Sequence, residues 1–181
     1  MVHLKRDNMK QTLTILMIFI FLNSCSTKDT KTMVDKFTWN VQLAGYDFNK
    51  YDEKGETNLE NFIVELDKFP WIEQLENYQK TQKGCSATLS VKDHKTGTDF
   101  WVSIAGDKND NAYLIGYVYI KSVKGFMGLG KPKEKRWVEI YITKDIEKVK
   151  ECFKLFFNRE PENLVSTIKK LELFGEMEAK N

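Results

Sequence analysis

The sequence predicts an α+β fold, an antiparallel β-meander of about five strands packed with about four helices. Several short segments alternate between apolar and other residues, with the period of two that a half-buried strand shows. Other segments repeat apolar residues at helical spacing and carry helix-starting or helix-ending residues. Most strand-like segments follow one another in mid-chain, with helices before and after them, which is typical of α+β architecture.

The first predicted strand and two helices lie in the first half of the chain. Residues 37–43 alternate Phe, Trp, Val and Leu with Thr, Asn and Gln, which predicts a strand. Residues 47–55 are rich in turn-forming residues. Thr57 and Glu60 then form a T-x-x-E capping box, which predicts the start of a helix. Pro70 should interrupt this helix, and a second short helix is expected to begin there.

Four further strands and two closing helices are predicted in the second half. The strand-like segments, divided by turn residues, are 85–92, 99–105, 112–121 and 136–143. Apolar residues from Ile146 to Phe156 recur at helical spacing and predict the first closing helix. The second should open at Pro161 and end at Gly175, because proline favours the first helical turn and glycine favours the helix end.

Residues 13–22 are almost wholly apolar but too short to cross a membrane. At about 1.5 Å per residue they cover roughly 15 Å, half of a hydrocarbon core that is about 30 Å thick. Basic residues precede them and small polar residues follow, as in a secretory signal. The next residues, Leu22-Asn23-Ser24-Cys25, resemble the lipobox of bacterial prolipoproteins, in which an aliphatic residue, a small residue and Gly, Ala or Ser precede an obligatory Cys.

The lipobox resemblance implies cleavage before Cys25, a diacylglyceryl group on its sulfur and usually a further acyl chain, such as palmitate, on its amino group. Two or more acyl chains hold a protein firmly to a bilayer, because each buried CH₂ contributes about 0.8 kcal/mol. The implied location is the cell envelope, at the outer membrane if the organism has one, since Ser26 replaces the Asp of inner-membrane lipoproteins. A buried core helix, or a secretory signal with a chance cysteine, is the alternative.

Composition and charge set the predicted domain organisation. The chain divides into a signal peptide (1–24), a polar tether (25–36), one globular domain (37–175) and a tail (176–181). Without its signal peptide the chain keeps 25 of its 28 basic residues and 25 of its 26 acidic ones. A formally neutral body has no bulk charge for nucleic-acid binding. Its length suits a single domain with its own core.

No motif predicts a cofactor, a metal site or a catalytic set. Residues 125–131 match the phosphate-binding pattern G-x-x-x-x-G-K, but Pro132 stands where that loop needs Ser or Thr and a strand-like segment follows. Residues 107–111 begin like a calcium loop, but Ala112 stands where Gly is needed. His94 is the single histidine after the predicted signal peptide, and a strand of nine residues would hold it about 30 Å from Cys85, too far for a catalytic pair. A pair with Cys152 stays open, although His94 lies in a turn sequence, and a single histidine argues against a zinc site.

Two cysteines in the predicted body leave two interpretations open. A disulfide between Cys85 and Cys152 would close a long loop and contribute about 4 kcal/mol. Both cysteines also fit apolar positions of their predicted elements, where small buried thiols are common.

Alternation within the meander predicts one aliphatic face and one face lined by Trp and Tyr. The candidate binding face consists of Trp101, Tyr113, Tyr117, Tyr119, Trp137 and Tyr141. The opposite, core face is expected to carry Phe100, Val102 and Ile104 together with Leu114, Val118, Ile120, Val138, Ile140 and Ile142. Aromatic side chains bury about 150–250 Å² each, more in sum than the few hundred Å² of apolar patch that a monomer exposes. Either the protein's own helices or a partner must therefore cover the aromatic face.

A basic loop is predicted at the edge of this aromatic face. Its candidate residues are Lys124, Lys131, Lys133, Lys135 and Arg136. They form either a solvated rim or a patch for an acidic partner.

These features favour a non-catalytic, protein-binding lipoprotein. Between residues 57 and 143, Phe69-Pro70-Trp71 stands in a helical segment and YLIGYVY and RWVEIY stand in the meander, which resembles immunity proteins of bacterial toxin systems. The resemblance implies a protein partner, either a toxin or an envelope component. The alternatives are an envelope hydrolase that uses paired carboxylates, whose spacing is not visible in a sequence, and a structural or assembly lipoprotein of an envelope complex.

Overall fold

The computed structural model describes residues 35–123 and 132–179, which form seven strands and four helices. In chain order they are β1 (Phe37–Gln42), β2 (Asp52–Thr57), α1 (Leu59–Lys68), α2 (Trp71–Thr81), β3 (Thr88–Asp93), β4 (Thr98–Gly106), β5 (Asn111–Val123), β6 (Lys133–Thr143), α3 (Ile146–Phe157), α4 (Pro161–Ile168) and β7 (Glu172–Glu178). The predicted signal peptide, the segment that resembles a lipobox and the G-x-x-x-x-G-K segment lie outside the described residues. No described helix is long and apolar enough to span a bilayer.

The seven strands form one antiparallel sheet in the order β2-β1-β3-β4-β5-β6-β7. The predicted α+β class is confirmed, and so are the five predicted strands. Two helices precede the run β3–β6 in the sequence and two follow it, as predicted. The strand after Pro132 also confirms that no phosphate-binding helix begins there. The sheet has two strands more than the sequence predicts, and both are its edge strands.

The two edge strands correct the sequence prediction. β2 falls partly in the segment predicted as a turn, because its residues, DEKGET, contain no apolar residue whose alternation could reveal a strand. β7 replaces the end of the predicted last helix, which stops at Ile168 and not at Gly175. Pairing with β6 continues through Glu178, beyond the boundary predicted at residue 175. In both places the hydrogen bonds to the neighbouring strand stabilise a strand more than the local residues favour a turn or a helix.

The helix starts follow local signals closely. α1 begins one residue later than the predicted capping box, because Asn58 and not Thr57 is the cap and its Oδ1 accepts a hydrogen bond from the Asn61 amide. The predicted break at Pro70 is confirmed, and α4 begins at Pro161 as predicted.

The core lies between one face of the sheet and the four helices. The buried residues of every helix belong to one hydrophobic cluster with Phe100, Val102 and Ile104 of β4. Phe153 of α3 lies at its centre, with ring centroids 4.5 Å from Phe62 and 4.8 Å from Phe100. We call the side of the sheet that packs against the helices the helix face. None of the described helices packs its buried side chains on the other, second face.

Candidate binding surfaces

Strand register divides the predicted aromatic face between the two sides of the sheet. Tyr117 pairs with Phe100 and Tyr113 with Ile104, so these tyrosines lie on the helix face. The prediction that Phe100, Val102 and Ile104 lie opposite the tyrosines is therefore wrong. Leu114, Val118, Val138, Ile140 and Ile142 lie on the second face, not in the core beside Phe100. Alternation separates the two faces of one strand, but only register decides which faces of neighbouring strands coincide.

The protein's own helices cover half of the predicted face. Tyr117 and Tyr141 are buried in the core, and Tyr113 packs edge-on against Trp71 of α2 with centroids 5.6 Å apart. Burial raises the pKa of the Tyr113 and Tyr117 hydroxyls. These three tyrosines are packing residues and are not available to a partner.

Tyr119 and Trp137 remain half-exposed at the β5–β6–β7 end of the helix face. Tyr119 donates a hydrogen bond of 2.7 Å to Oε1 of Glu139, and Tyr141 donates one of 2.8 Å to Oε2. Burial and these hydrogen bonds to the carboxylate raise the pKa of both phenols well above the ordinary range. Trp137 donates a 3.1 Å hydrogen bond to Glu176. The cluster is held rigidly by its own polar contacts.

Glu139 and Glu176 are directly opposite each other in the β6–β7 ladder, the closest match to the paired carboxylates of the hydrolase alternative. Both oxygens of Glu139 already accept a phenol hydrogen bond. Glu176 accepts from Trp137 and lies 3.8 Å from the Lys121 ammonium. These contacts orient the aromatic rings and favour a structural role for the two carboxylates over a catalytic one.

The described part of the predicted basic loop is largely neutralised within the protein. The Lys135 ammonium lies 2.5 Å from Glu178, and Arg136 forms an ion pair with Asp99 on the second face. Lys133 is exposed, whereas Lys124 and Lys131 lie outside the described residues. The internal ion pairs leave less positive charge for an acidic partner than the sequence suggests.

The β7 edge carries three exposed large apolar side chains, with Leu173 on the helix face and Met177 on the second face. The residues Leu173, Phe174 and Met177 are 56%, 62% and 54% exposed. The opposite edge strand, β2, is composed of charged residues with Gly55 and Thr57 and has no apolar side chain. The sequence predicts a helix end at this edge, and the adjacent Leu173 and Phe174 in a short acidic segment are its only local signal of an exposed apolar strand.

Trp101 is the one member of the predicted aromatic face that lies on the second face of the sheet. It pairs with Gly116 of β5 and with Ser90 of β3. A depression of about 780 Å³ opens beside it, lined by residues of β1, β3, β4, β5 and β7, of the β1–β2 and α2–β3 connections, and by Tyr78 of α2. We call this depression the Trp101 groove.

The two described cysteines are free thiols and not a disulfide. Cys152 is buried, as the thiol interpretation expects, and burial raises its pKa to about 12. Burial and the nearby Asp47 carboxylate also raise the pKa of Cys85. Both side chains therefore stay protonated at neutral pH and are poor nucleophiles. Within residues 35–123 and 132–179, no three His, Cys, Asp or Glu side chains converge as a metal site would require.

No family model, curated protein or solved structure matches the chain. The features of the chain that bear on function are its amino-terminal pattern, the β7 edge and the Trp101 groove.

Proposed function

We propose that this chain is a lipid-anchored protein of the bacterial cell envelope that binds a protein partner and catalyses no reaction of its own. The observation that carries the binding role is the exposed apolar edge of β7. The lipobox pattern ending at Cys25 supports the anchor. The partner is a toxin or another envelope component, which an anchored binding protein would meet outside the cytoplasm.

An edge strand presents unpaired N–H and C=O groups, and soluble proteins usually protect such an edge with charged side chains or a bulge. β2 consists of charged residues with Gly55 and Thr57, whereas β7 carries three exposed apolar side chains beside three glutamates, and a bulge lies opposite Ile140 and Tyr141. The apolar side chains distinguish β7 from β2. An extended segment of a partner can pair with such an edge and bury alternate side chains beside it. Tyr119 and Trp137 extend the surface inward, and aromatic residues of this kind dominate interface energetics.

The partner segment should combine apolar and basic side chains. Leu173, Phe174 and Met177 call for apolar side chains, and the glutamates of β7 favour basic ones. Pairing of two copies through β7 is less favourable, because antiparallel alignment about Gly175 would place Glu172 opposite Glu178.

The lipid anchor is tested by replacing Cys25 with alanine. We expect Cys25→Ala to abolish incorporation of labelled palmitate in growing cells, because the thioether forms only on the cysteine sulfur. Cys85→Ala is the matched control, since it removes a thiol from the folded body and should leave labelling unchanged. Palmitate labelling that persists in Cys25→Ala, or a mature protein that begins at Met1, would contradict the anchor.

The binding edge is tested with Phe174→Asp, measured by calorimetry against the secreted products of neighbouring genes. We expect the affinity for the partner to fall by about 30-fold or more, the change that loss of a hot-spot side chain produces. Phe48→Asp is the control, because Phe48 is also highly exposed but lies in the β1–β2 connection. Equal losses in both variants, or unaltered binding in Phe174→Asp, would remove the β7 edge from the interface.

A further inference from the structure

The Trp101 groove has the size of a ligand site. Its volume of about 780 Å³ lies within the range of roughly 300–1,000 Å³ typical of small-ligand pockets. Its floor is the second face of the sheet, and Phe48, Tyr51 and Tyr78 contribute aromatic side chains around it. Only Met177 belongs to both this groove and the β7 edge, so the two surfaces can be tested separately.

Trp101 forms a flat platform in this groove. A Cβ atom at Gly116 would lie 2.0 Å from Cε2 of Trp101, so the indole ring rests directly on the glycine backbone. Any larger residue at position 116 would displace the ring. The indole is therefore held against the sheet at Gly116, and the same side chain lines the groove, where a flat apolar surface can stack on it.

Hydrogen-bonding groups without a protein partner lie in the same cross-strand row. Asn40, Ser90 and Trp101 are successive neighbours on β1, β3 and β4. None of their side chains forms a hydrogen bond within the described residues. Because no buried polar side-chain atom in that part of the chain lacks a partner, the polar atoms of these three side chains are accessible to solvent. The other serine and threonine hydroxyls of the groove are already used, since Ser103 donates to Ala87 O, Thr88 to Ser86 O and Ser86 to Ile104 O. The row thus offers an amide, a hydroxyl and an indole N–H to a ligand.

The groove also lacks charge. None of its fourteen lining residues that the structure describes is Asp, Glu, Lys or Arg. Lys92 and Arg136 lie on this face beyond the lining residues, and the Asp99 carboxylate interacts with both. A phosphorylated or strongly anionic ligand would find no cation among the lining residues. An acyl chain would bury the amide and hydroxyl groups without partners, which is costly.

We infer that the Trp101 groove binds an uncharged oligosaccharide, with one sugar ring stacked on Trp101. A sugar ring has C–H groups on its flat faces and hydroxyls around its rim. The C–H face matches the exposed indole, and the rim hydroxyls match Asn40, Ser90 and the indole N–H. This site is independent of the proposed protein-binding edge and concerns a different surface.

The test is calorimetric titration of the full mature chain in micelles of a detergent without a sugar headgroup. The probes are maltotetraose, cellotetraose, xylotetraose and chitotetraose, with tetragalacturonic acid as the anionic control. We expect saturable one-to-one binding of at least one uncharged probe and none of the anionic one. Failure of all four uncharged probes to bind, or equal binding of the anionic probe, overturns the inference.

Variants locate the site. Trp101→Ala should weaken binding of the positive probe at least tenfold, and Gly116→Ala should do the same while keeping the indole, because the new Cβ displaces it. Asn40→Ala should weaken it roughly tenfold, the factor that corresponds to about 1.4 kcal/mol. Val64→Ala is the control, because Val64 is exposed on α1, which packs on the other face of the sheet, and this variant should bind normally. Normal binding in both Gly116→Ala and Asn40→Ala overturns the inference even if Trp101→Ala does not fold.

Discussion

Phe153→Ala is expected to lower the free energy of unfolding by about 3–5 kcal/mol, the range for a fully buried Phe replaced by Ala. Phe153 has no solvent exposure, and its ring contacts those of Phe62 and Phe100. The ring joins α1, α3 and the sheet at one point. Its removal leaves a cavity between three elements, which are too constrained by their own hydrogen bonds to collapse into it.

Urea unfolding of a soluble form that begins at Ser26, followed by circular dichroism, measures this loss. Phe48→Ala is the matched control, because Phe48 is 82% exposed and should change stability by less than about 0.5 kcal/mol. The slope of the transition should be the same in both variants, since both expose a similar surface on unfolding. A loss below about 1 kcal/mol in Phe153→Ala would show that the core is not packed as described.

Asp93→Ala is expected to lower the free energy of unfolding by about 3 kcal/mol, since removing one partner of a buried ion pair leaves the other charge uncompensated. Asp93 is 1% exposed and accepts two hydrogen bonds from Arg159, of 2.8 and 3.1 Å. Its oxygens also accept from the Lys95 amide and the Thr96 hydroxyl. The loss should stay near the lower end of the 3–5 kcal/mol range, because Arg159 keeps its ion pair with Asp35.

The contribution of Asp93 to the free energy of unfolding should depend on pH. Burial by itself would raise the pKa of Asp93, but the hydrogen bonds from Arg159, Lys95 and Thr96 outweigh it and hold the pKa below the ordinary value of 3.8. A lowered folded-state pKa contributes stability above the unfolded-state value, and this contribution is lost as the pH falls through the folded-state pKa. The stability difference between wild type and Asp93→Ala should therefore be full at pH 6 and shrink below about pH 4.

Unfolding curves at several pH values measure this dependence. Asp110→Ala is the matched control, because Asp110 pairs with Lys144 at 2.5 Å but both side chains are more than 70% exposed. An exposed pair of this kind contributes at most about 1 kcal/mol. Equal losses in the two variants, or an Asp93→Ala loss that does not shrink in acid, would show that the buried carboxylate is not ionised in the folded protein.

Local patterns in the sequence predict most of the elements. The five inner strands and four helices follow from alternation, helical spacing and the prolines at positions 70 and 161. These signals are local, because a strand's two faces and a helix's first turn are encoded by neighbouring residues. The edge strands β2 and β7 were not predicted, because one has no apolar residues and the other reads locally as the end of a helix.

The candidate surfaces depend on contacts between distant parts of the chain. Alternation grouped Trp101 with the tyrosines, whereas register places Trp101 on the second face and Tyr113 and Tyr117 in the core. A shift of one residue between two strands would reverse this outcome, and the sequence of a single strand does not encode that shift. The Trp101 platform likewise requires Gly116, which meets it only across the β4–β5 ladder.

The amino-acid sequence by itself determined the fold class, the inner strands and helices, and the neutral charge of the body, because these follow from residue type and local spacing. It also carries the lipobox pattern on which the proposed anchor depends. The tertiary structure alone decided which aromatic residues are core, that β7 is an exposed edge, and that Asp93 and Arg159 meet although 66 positions separate them. Those outcomes depend on strand pairing and helix packing, which bring together residues that share no local pattern.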